Sequence, residues 1–510
     1  MNGLELGRRG AVRREHRLVR RLAPCAAASL IACAPALPRI AGAPGAPPAP
    51  NAPWTPPRGV VPTDESGYVA TAQSLPAELI QHADQLTIGD VVDVALRNNP
   101  QTRESWAQAR AAAAGYGSAL GSYYPTVQAS SSFGRTQTAS NSGFGARSQV
   151  APAVTLSYLL FDFGGRSGAT AAARANAIAL DLTHDATLQA TALQTESAYF
   201  AYMEARALAD AQRVTVAEAQ QSVDAAQQRH RIGVATIADV LQAQTVLAQA
   251  QLDLETDSGS VQTGRGALAT AMGLRANAAY EVAPPTSTPP TLDCDSTAVG
   301  VVAASVDTLI ARAIARRPDL AAARADILRA EAEVRVARAS ALPALTLAAS
   351  GGRTFSNVGA FQGPSYAVTL GLSVPIFNGF TSQYDVAAAR ANVQASEARA
   401  DLLRTQVSNQ VFGSYFLLRS ATQRVRTAAV LLASAQQSES VASGRYRAGV
   451  GTILDLLAAQ NALAAARAQQ VQARWIWSAA LAQLAHDIGV LGLHGELPST
   501  IGTDSLGTRR

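Results

Sequence analysis

Residues 229–244 read RHRIGVATIADVLQAQ, and residues 445–460 read RYRAGVGTILDLLAAQ. Ten of the sixteen positions are identical, and the second copy follows the first at an offset of 216 residues. In each copy an Ala-rich polar stretch reaches a glycine, and the Thr-x-x-Asp pattern that follows is typical of a helix start. The two segments therefore predict two hairpins of long helices in a chain built from two tandem repeats.

The amino-acid composition favours closely packed helices. Apolar residues make up 48% of the 510 residues and aromatic residues only 5%, so alanine supplies much of the apolar count. Because alanine is the strongest helix former and has a small side chain, Ala-rich helices can approach each other closely. The net charge of +5 comes from arginines that are spread along the helical segments. A nucleic-acid interface would cluster basic residues beside aromatic ones, so we expect no nucleic-acid partner.

The N-terminal residues predict export from the cytoplasm. Arginines are dense in residues 8–21, and the apolar run that follows at 26–32 is too short to span a membrane. The run ends in Leu-Ile-Ala before Cys33, which resembles the bacterial lipoprotein box. This pattern predicts a signal peptide at residues 1–32, an acylated Cys33 and a lipid-anchored tether, rich in Pro and Ala, at residues 33–85. The alternative is an ordinary signal peptide that is cleaved at a nearby Ala-x-Ala site.

Prolines divide the rest of the chain. Pro100 and Pro318 lie at equivalent places, and a second proline follows each of them twenty-five residues later. Because proline ends a helix, each pair brackets a helix of about twenty residues. We expect the following segments: a first repeat at 86–275, a connector at 276–305, a second repeat at 306–492 and a C-terminal tail at 493–510.

Each repeat also contains one strand hairpin. Apolar residues alternate with small or polar residues from 154 to 160, apart from Leu159, and from 368 to 376. This is the period of a strand with two different faces. Their weaker partner strands are expected at 127–133 and 345–354, with Ser- and Gly-rich tips at 140–148 and 356–364.

An apolar face on hairpins of this length is typical of a transmembrane barrel. A backbone in a bilayer must be fully hydrogen-bonded, so the sheet has to close, and four strands are too few for one chain to close it. We therefore expect several copies of the chain to share one barrel. A soluble sheet that is covered by helices is the alternative.

Long proline-free stretches follow the strands. Residues 166–231 contain no proline and no glycine after Gly168, and a continuous helix of about 65 residues would be roughly 100 Å long. The equivalent stretch at 381–447 contains Gly413 and Gly444, which we expect to interrupt it. After each helix turn, apolar residues and glutamines recur at spacings of three and four, which predicts coiled-coil packing between neighbouring helices.

Several motifs in this order resemble the TolC-like outer-membrane efflux protein family. They are the strand exit Pro-Ile-Phe-Asn-Gly at 375–379 and the turn from Tyr446 through Gly449 and Thr452 to Asp455. The resemblance covers nearly the whole mature chain. Its cysteine at the end of the signal is similar to that of the lipoprotein branch, the outer-membrane factors of tripartite pumps.

The resemblance implies a mixed α and β membrane protein. Each chain would contribute four strands to a shared twelve-stranded β-barrel of a homotrimer, and a long periplasmic α-helical coiled-coil tunnel would continue the barrel. The protein would lie in the cell outer membrane, in contact with outer-membrane lipid and anchored by the lipid on Cys33.

The function that the resemblance implies is a passive exit duct of a tripartite efflux pump for drugs or other small toxic compounds. A periplasmic adaptor and an inner-membrane transporter would be its partners. Two alternatives stay open: the outer-membrane duct of a type I protein secretion system, and a coiled-coil scaffold without a pore. The sequence shows no nucleophile–base pair, metal-ligand cluster or phosphate-binding loop, so we expect neither an enzyme nor a cofactor.

The resemblance also implies roles for residues at the helix turns. Asp455 matches a gate aspartate, and the second gate position is Ala458 in this chain. Asp239 matches an aspartate that is linked to a tyrosine, whose counterpart is Tyr446, and Gly451 replaces a linking arginine. The periplasmic gate would thus involve Asp239, Tyr446 and Asp455, with fewer polar links. The adaptor would dock on Gly233, Val234 and Ala235 of the first turn and on Gly449, Val450 and Gly451 of the second.

Helix capping is a simpler explanation for both aspartates. The Thr-x-x-Asp patterns at 236–239 and 452–455 are capping boxes in which Asp, one methylene group shorter, replaces the usual Glu. An acid in the first turn also interacts favourably with the helix dipole. We expect both aspartates to cap their helices, and a gate role for Asp455 would be additional.

Overall fold

The computed structural model describes residues 39–40, 43–44, 46, 49–53, 86–140, 143–278, 280–283, 305–359 and 362–491. The predictions for the signal peptide, Cys33 and the C-terminal tail lie outside these residues, as do most of the tether and most of the connector. Within the tether, β1 (Arg39–Ile40) pairs with β2 (Ala43–Pro44) as a short antiparallel ladder.

The helices of the body fall into two series of equal lengths. The first series is α1 (Ile88–Asn98), α2 (Pro100–Gly121), α3 (Gly165–Arg231) and α4 (Ile237–Ala271), with 11, 22, 67 and 35 residues. The second is α5 (Val306–Arg316), α6 (Pro318–Ala339), α7 (Thr381–Arg447) and α8 (Ile453–Asp487), again with 11, 22, 67 and 35 residues. The helices expected after Pro100 and Pro318 are confirmed, and each proline stands at the first helical position, where its missing N–H has no intrahelical partner to lose.

One antiparallel sheet joins the two series. Its strands are β3 (Thr126–Ser140), β4 (Gly143–Phe161), β5 (Ala344–Ser356) and β6 (Gly363–Ser373), and they lie in chain order. The central pairing of β4 with β5 brings the halves together, with a register shift between Leu159 and Phe161. The outer strands are β3 and β6, each of which pairs on one side within the described chain.

The strand ends differ from those predicted. The tip expected at 140–148 is mostly strand, because the ladder continues to the pair Ser140 and Gly143. Small polar residues there suggested a loop, but the described ones have backbone partners across the hairpin. The last strand ends at Ser373, so Val374 and Ile376 lie beyond it. Proline at 375 has no N–H to donate to a ladder, which accounts for the early end.

The two long helices are continuous. Each has 67 residues, which corresponds to about 100 Å. The expectation that Gly413 and Gly444 interrupt α7 is wrong. Nothing lies within 4 Å of a Cβ built at either glycine. A helical glycine costs about 1 kcal/mol, which the packing of α7 against α5, α6 and α8 offsets.

Helix packing defines two hairpins and the contacts between them. α3 packs along α4 in the first hairpin, and α7 packs along α8 in the second. The hairpins meet where α8 packs against α3, and α6 contacts both long helices. Buried clusters line these contacts at intervals. Near the sheet they contain Ala112, Ala177, Ile178, Leu182 and Ala325; midway Tyr199, Met203, Leu268 and Met272; near the turns Val223, Ala226, Val240 and Ala243.

The outer strand β6 exposes a row of large apolar side chains. Tyr366, Val368, Leu370 and Leu372 are between 64% and 91% exposed, and small residues alternate with them. The predicted period of two is confirmed. No described helix combines the length and the apolar character that crossing a bilayer requires.

The junction between β4 and β5 is tight at one glycine. A Cβ at Gly352 would lie 2.7 Å from the carbonyl oxygen of Pro152, whereas nothing lies within 4 Å of a Cβ at Gly351. We expect Gly352→Ala to destabilise the folded protein by about 1–3 kcal/mol, because the strands must shift apart. Gly351→Ala, the matched control, should have little effect. Thermal unfolding in detergent measures both, and equal losses would contradict this packing.

Candidate functional site at the helix turns

The two hairpin turns have the same backbone geometry. Gly233 and Gly449 have φ of 81° and 80°, the left-handed conformation that ends many helices. Behind them, the Val234 N–H donates to the Arg229 carbonyl at 2.9 Å, and the Val450 N–H donates to the Arg445 carbonyl at 3.0 Å. These bonds are the signature of a Schellman motif. Both turns leave their valine side chain exposed at the end of the hairpin.

Both candidate gate aspartates cap a helix. At α4, the Asp239 N–H donates to Thr236 Oγ1 at 3.2 Å and the Thr236 N–H donates to the Asp239 carboxylate at 2.8 Å. At α8 the same two bonds join Asp455 and Thr452, at 3.2 and 3.3 Å. The predicted capping role is therefore confirmed for both residues.

The capping bonds also fix the charge of Asp455. Hydrogen bonds from the Thr452 side chain and backbone hold the pKa of this carboxyl below its usual value, and the nearby Arg445 guanidinium adds to the effect. The side chain is fully exposed to solvent in one chain. Asp455 therefore presents a negative charge at the hairpin end at neutral pH.

Tyr446 is buried at the seam between the hairpins, and only 5% of it is exposed. Its ring packs on Ile453, Leu456 and Leu457. Its hydroxyl has no hydrogen-bond partner. The link to Asp239 that the resemblance implies is not formed in this structure, and the Asp239 carboxylate accepts from its own Thr236 cap.

Arg229 makes the contact between the hairpins that the tyrosine hydroxyl does not make. Its guanidinium carbon lies 4.3 Å from the centre of the Tyr446 ring, a cation–π distance. Its Nη2 donates to the Arg447 carbonyl at 3.4 Å. Both copies of the sequence repeat contain an arginine at this position, Arg229 and Arg445. The repeat alone does not predict that the first of these arginines contacts the second hairpin.

Gly451 is confined by the backbone before it. A Cβ at this position would lie 3.0 Å from Arg445 Cβ and 3.1 Å from Tyr446 N. Its own N–H donates to the Arg445 carbonyl at 3.1 Å. A larger residue here requires the neighbouring backbone to shift, so an arginine at residue 451 would strain this turn.

Two polar contacts join the hairpins above the turns, and sequence reasoning missed both. Arg467 of α8 donates to both carboxylate oxygens of Glu218 on α3, at 2.8 Å each. One helical turn closer to the hairpin end, Ser222 Oγ donates to Gln460 Oε1 at 3.0 Å. The partners are 249 and 238 residues apart along the chain, so no local pattern links them.

Basic residues surround the turns. Arg231, Arg445 and Arg447 are exposed in the last turns of α3 and α7, where cations interact favourably with the helix dipole. Within the described part of the chain, no three acidic, histidine or cysteine side chains come together as metal ligands do. The geometry provides an exposed apolar and charged end to each hairpin and a partly polar seam between them.

Comparison with known proteins gives the family. Residues 91–274 and 309–490 match the family model described as "Outer membrane efflux protein". The chain belongs to the outer membrane efflux protein family. The resemblance to TolC-like proteins is thereby confirmed, and the chain is an outer membrane efflux protein.

Individual proteins agree with this assignment. The chain is 31% identical over 424 residues to protein CyaE of Bordetella pertussis, which covers 81% of this chain and 87% of that protein. It is 31% identical over 182 residues to the alkaline protease secretion protein AprF of Pseudomonas aeruginosa, covering 35% of this chain and 38% of that protein. Its fold matches the solved CmeC outer membrane channel of Campylobacter jejuni with a TM-score of 0.70 at 18% identity, over 85% of this chain and 92% of that one.

The unpaired hydroxyl of Tyr446 leads to a test of its role. We expect Tyr446→Phe to leave thermal stability unchanged or to raise it, because a buried hydroxyl without a partner costs about 1–3 kcal/mol. Tyr446→Ala should lower stability by about 3–5 kcal/mol, since the ring fills the seam beneath Arg229. Thermal unfolding and single-channel recording measure both variants. Channel opening in Tyr446→Phe as large as in Tyr446→Ala would show that the hydroxyl forms a link after all.

Proposed function

We propose that this efflux protein works as a homotrimer in which three chains share one twelve-stranded barrel. The observation that carries the proposal is the open, four-stranded sheet. Each outer strand has a free edge, and hydrocarbon offers no partner for the free backbone groups. Copies of the same chain would pair the edge of β3 with the edge of β6 and close the sheet. The exposed apolar row on β6 would then face lipid.

The helices would continue this barrel as a periplasmic coiled-coil tunnel. The equal helix lengths in the two series support two tandem repeats, at 86–275 and 306–492, around the connector at 276–305. Large apolar side chains on α7 are exposed in one chain, namely Leu402, Phe412, Leu417 and Val430. A neighbouring copy would cover them, as knobs of a coiled coil do.

The ends of the chain would attach the duct to the membrane. We assign residues 1–32 to a signal peptide, Cys33 to lipidation, residues 33–85 to a tether and residues 493–510 to a tail. The export signal and the cysteine that ends it support the anchor. Acylation and the barrel would together hold the protein in the outer membrane.

As the exit duct of a tripartite pump, the trimer would receive drugs or other small toxic compounds from a periplasmic adaptor and an inner-membrane transporter. The adaptor would dock on the two exposed turns, Gly233-Val234-Ala235 and Gly449-Val450-Gly451. Their exposed valines and the arginines around them support an apolar contact with charged margins. Asp239, Tyr446 and Asp455 would form the gate next to these docking turns.

A second candidate is the outer-membrane duct of a protein secretion system. AprF, by its name, serves the secretion of alkaline protease, and a third of this chain aligns with it. The same passive tube would serve either cargo, because the duct supplies no chemistry in either case. The scaffold without a pore is not supported, since the family is one of efflux proteins.

Deletion of the gene separates the two cargoes. The pump hypothesis predicts at least a fourfold fall in the minimum inhibitory concentrations of drugs or metal salts, and complementation should restore them. A panel of inhibitory concentrations and a survey of secreted proteins measure the outcomes. Unchanged sensitivity together with the loss of a secreted polypeptide would contradict the pump and favour secretion.

The gate role of Asp455 can be separated from its capping role. Three Asp455 carboxylates around a threefold axis would attract cations, so we expect Asp455→Ala to weaken cation block several-fold in planar bilayers. The matched control is Asp90→Ala, which removes the acid of a similar capping box at α1, far from the turns. A cation block that is the same in wild type and both variants would leave Asp455 with capping alone.

A further inference from the structure

The seam between α3 and α8 is the line along which the two helical hairpins meet. On α3, Glu218 and Ser222 are one turn apart. Arg229 follows two turns later, and its contacts are with Tyr446 and Arg447 of α7. On α8, Gln460 and Arg467 are two turns apart. Since residues at these spacings share a helix face, the polar side chains form a ladder of contacts up the seam. The ladder rises about 20 Å from the end of α3.

The pair of Glu218 and Arg467 is the strongest step of this ladder. Both carboxylate oxygens accept a hydrogen bond from the guanidinium, a two-pronged geometry that is stronger than a single charged bond. Only 29% of the glutamate and 22% of the arginine side chain is exposed, so water screens them less than an open surface pair. Hydrogen bonding to Glu218, with the charges of Glu218 and of Glu439 on α7, raises the pKa of Arg467.

Other ion pairs on the long helices join residues of the same helix. Asp210 pairs with Arg213 within α3, and Asp401 pairs with Arg404 within α7. Such pairs move with their own helix and cannot resist the separation of two hairpins. Arg467 and Gln460 of α8 contact residues of α3, so these contacts break whenever α8 moves away from α3.

The seam combines polar contacts with apolar ones, since Ala225 of α3 and Val246 of α4 pack against the buried cluster that contains Tyr446. Inside the first hairpin, apolar side chains such as Val223 and Val240 pack against each other, and parting them would expose them to water. Polar groups on the seam can exchange their partners for water when they part, so each net loss is small. At the turn itself, the hydroxyl of Tyr446 has no partner, and Arg229 bonds the Arg447 carbonyl. The ladder adds a charged pair above this contact.

We propose that Glu218 and Arg467, together with Ser222 and Gln460, are positioning residues that hold the two hairpins together in the closed channel and separate when the duct opens. We call these four residues the seam clasp. The inference rests on the proposed function as a gated duct, and it places the closing contacts above the turns rather than at the aspartates.

The experiment is a double-mutant cycle in planar bilayers with the full-length protein. Glu218→Gln keeps the side-chain shape and removes one charge, and Arg467→Gln removes one charge with a shorter polar side chain. Each should raise the ratio of open to closed time about fivefold, the factor expected for losing one ion pair of this kind. The double variant should open no more than either single variant, because the pair is broken once. Ser222→Ala should give a smaller increase in the same direction.

Arg213→Gln is the matched control, since it removes an arginine from an ion pair within α3 and should leave gating unchanged. Thermal unfolding of each variant is recorded alongside, because a purely structural contact would lower the unfolding temperature without changing the open fraction. Single variants that conduct with wild-type gating would contradict the clasp, and so would additive effects in the double variant. Absence of conductance in wild type and in every variant would contradict the proposed duct itself, and the clasp with it.

Discussion

The structure depends on one constraint, the two free edges of a four-stranded sheet. In hydrocarbon each unpaired N–H or C=O group costs several kcal/mol, and within the described residues β3 and β6 each pair on one side only. The sheet cannot curl on itself with four strands. In the proposed trimer, another copy of the chain would complete each of these edges. The central pairing of β4 with β5 joins both halves of the chain in this sheet. The sheet therefore determines where the helices that follow the strands begin.

The helical part follows from what the sheet imposes. Each half leaves the sheet through a 67-residue helix and returns through a 35-residue helix. Alanine allows these helices to pack closely, and the buried clusters are correspondingly small. The hairpins are firm within themselves because apolar groups join their helices. Between the hairpins the contacts are partly polar, and the proposed opening would part the hairpins along these contacts.

Much of this architecture could be predicted from the sequence because its signals are local. The glycine and Thr-x-x-Asp pattern fixed both turns, and both capping boxes are present. Prolines marked the starts of α2 and α6 correctly. Local signals gave the wrong prediction where contacts with distant residues determined the structure. Small polar residues up to Ser140 continue a strand because they have a partner, and Gly413 stays helical because its neighbours hold the helix.

The candidate site was predicted less completely. Its position at the turns needed only the repeat, but its contacts depend on pairs that lie more than 200 residues apart. Glu218 and Arg467 are ordinary helix residues in the sequence, and only the packing of α8 on α3 brings them together. Family resemblance assigned a hydrogen bond to Tyr446 that this chain does not form, because the resemblance carries residue identities and not the arrangement of their neighbours.

The central claim is that the free edges of one chain are completed by other copies. The most direct measurement is the detergent-corrected mass of the purified full-length protein, combined with a strand count in a single-particle reconstruction. The account predicts three chains and a closed ring in which β3 of one chain pairs with β6 of the next. A stable, conducting monomer whose sheet edges remain unpaired in the membrane would contradict it.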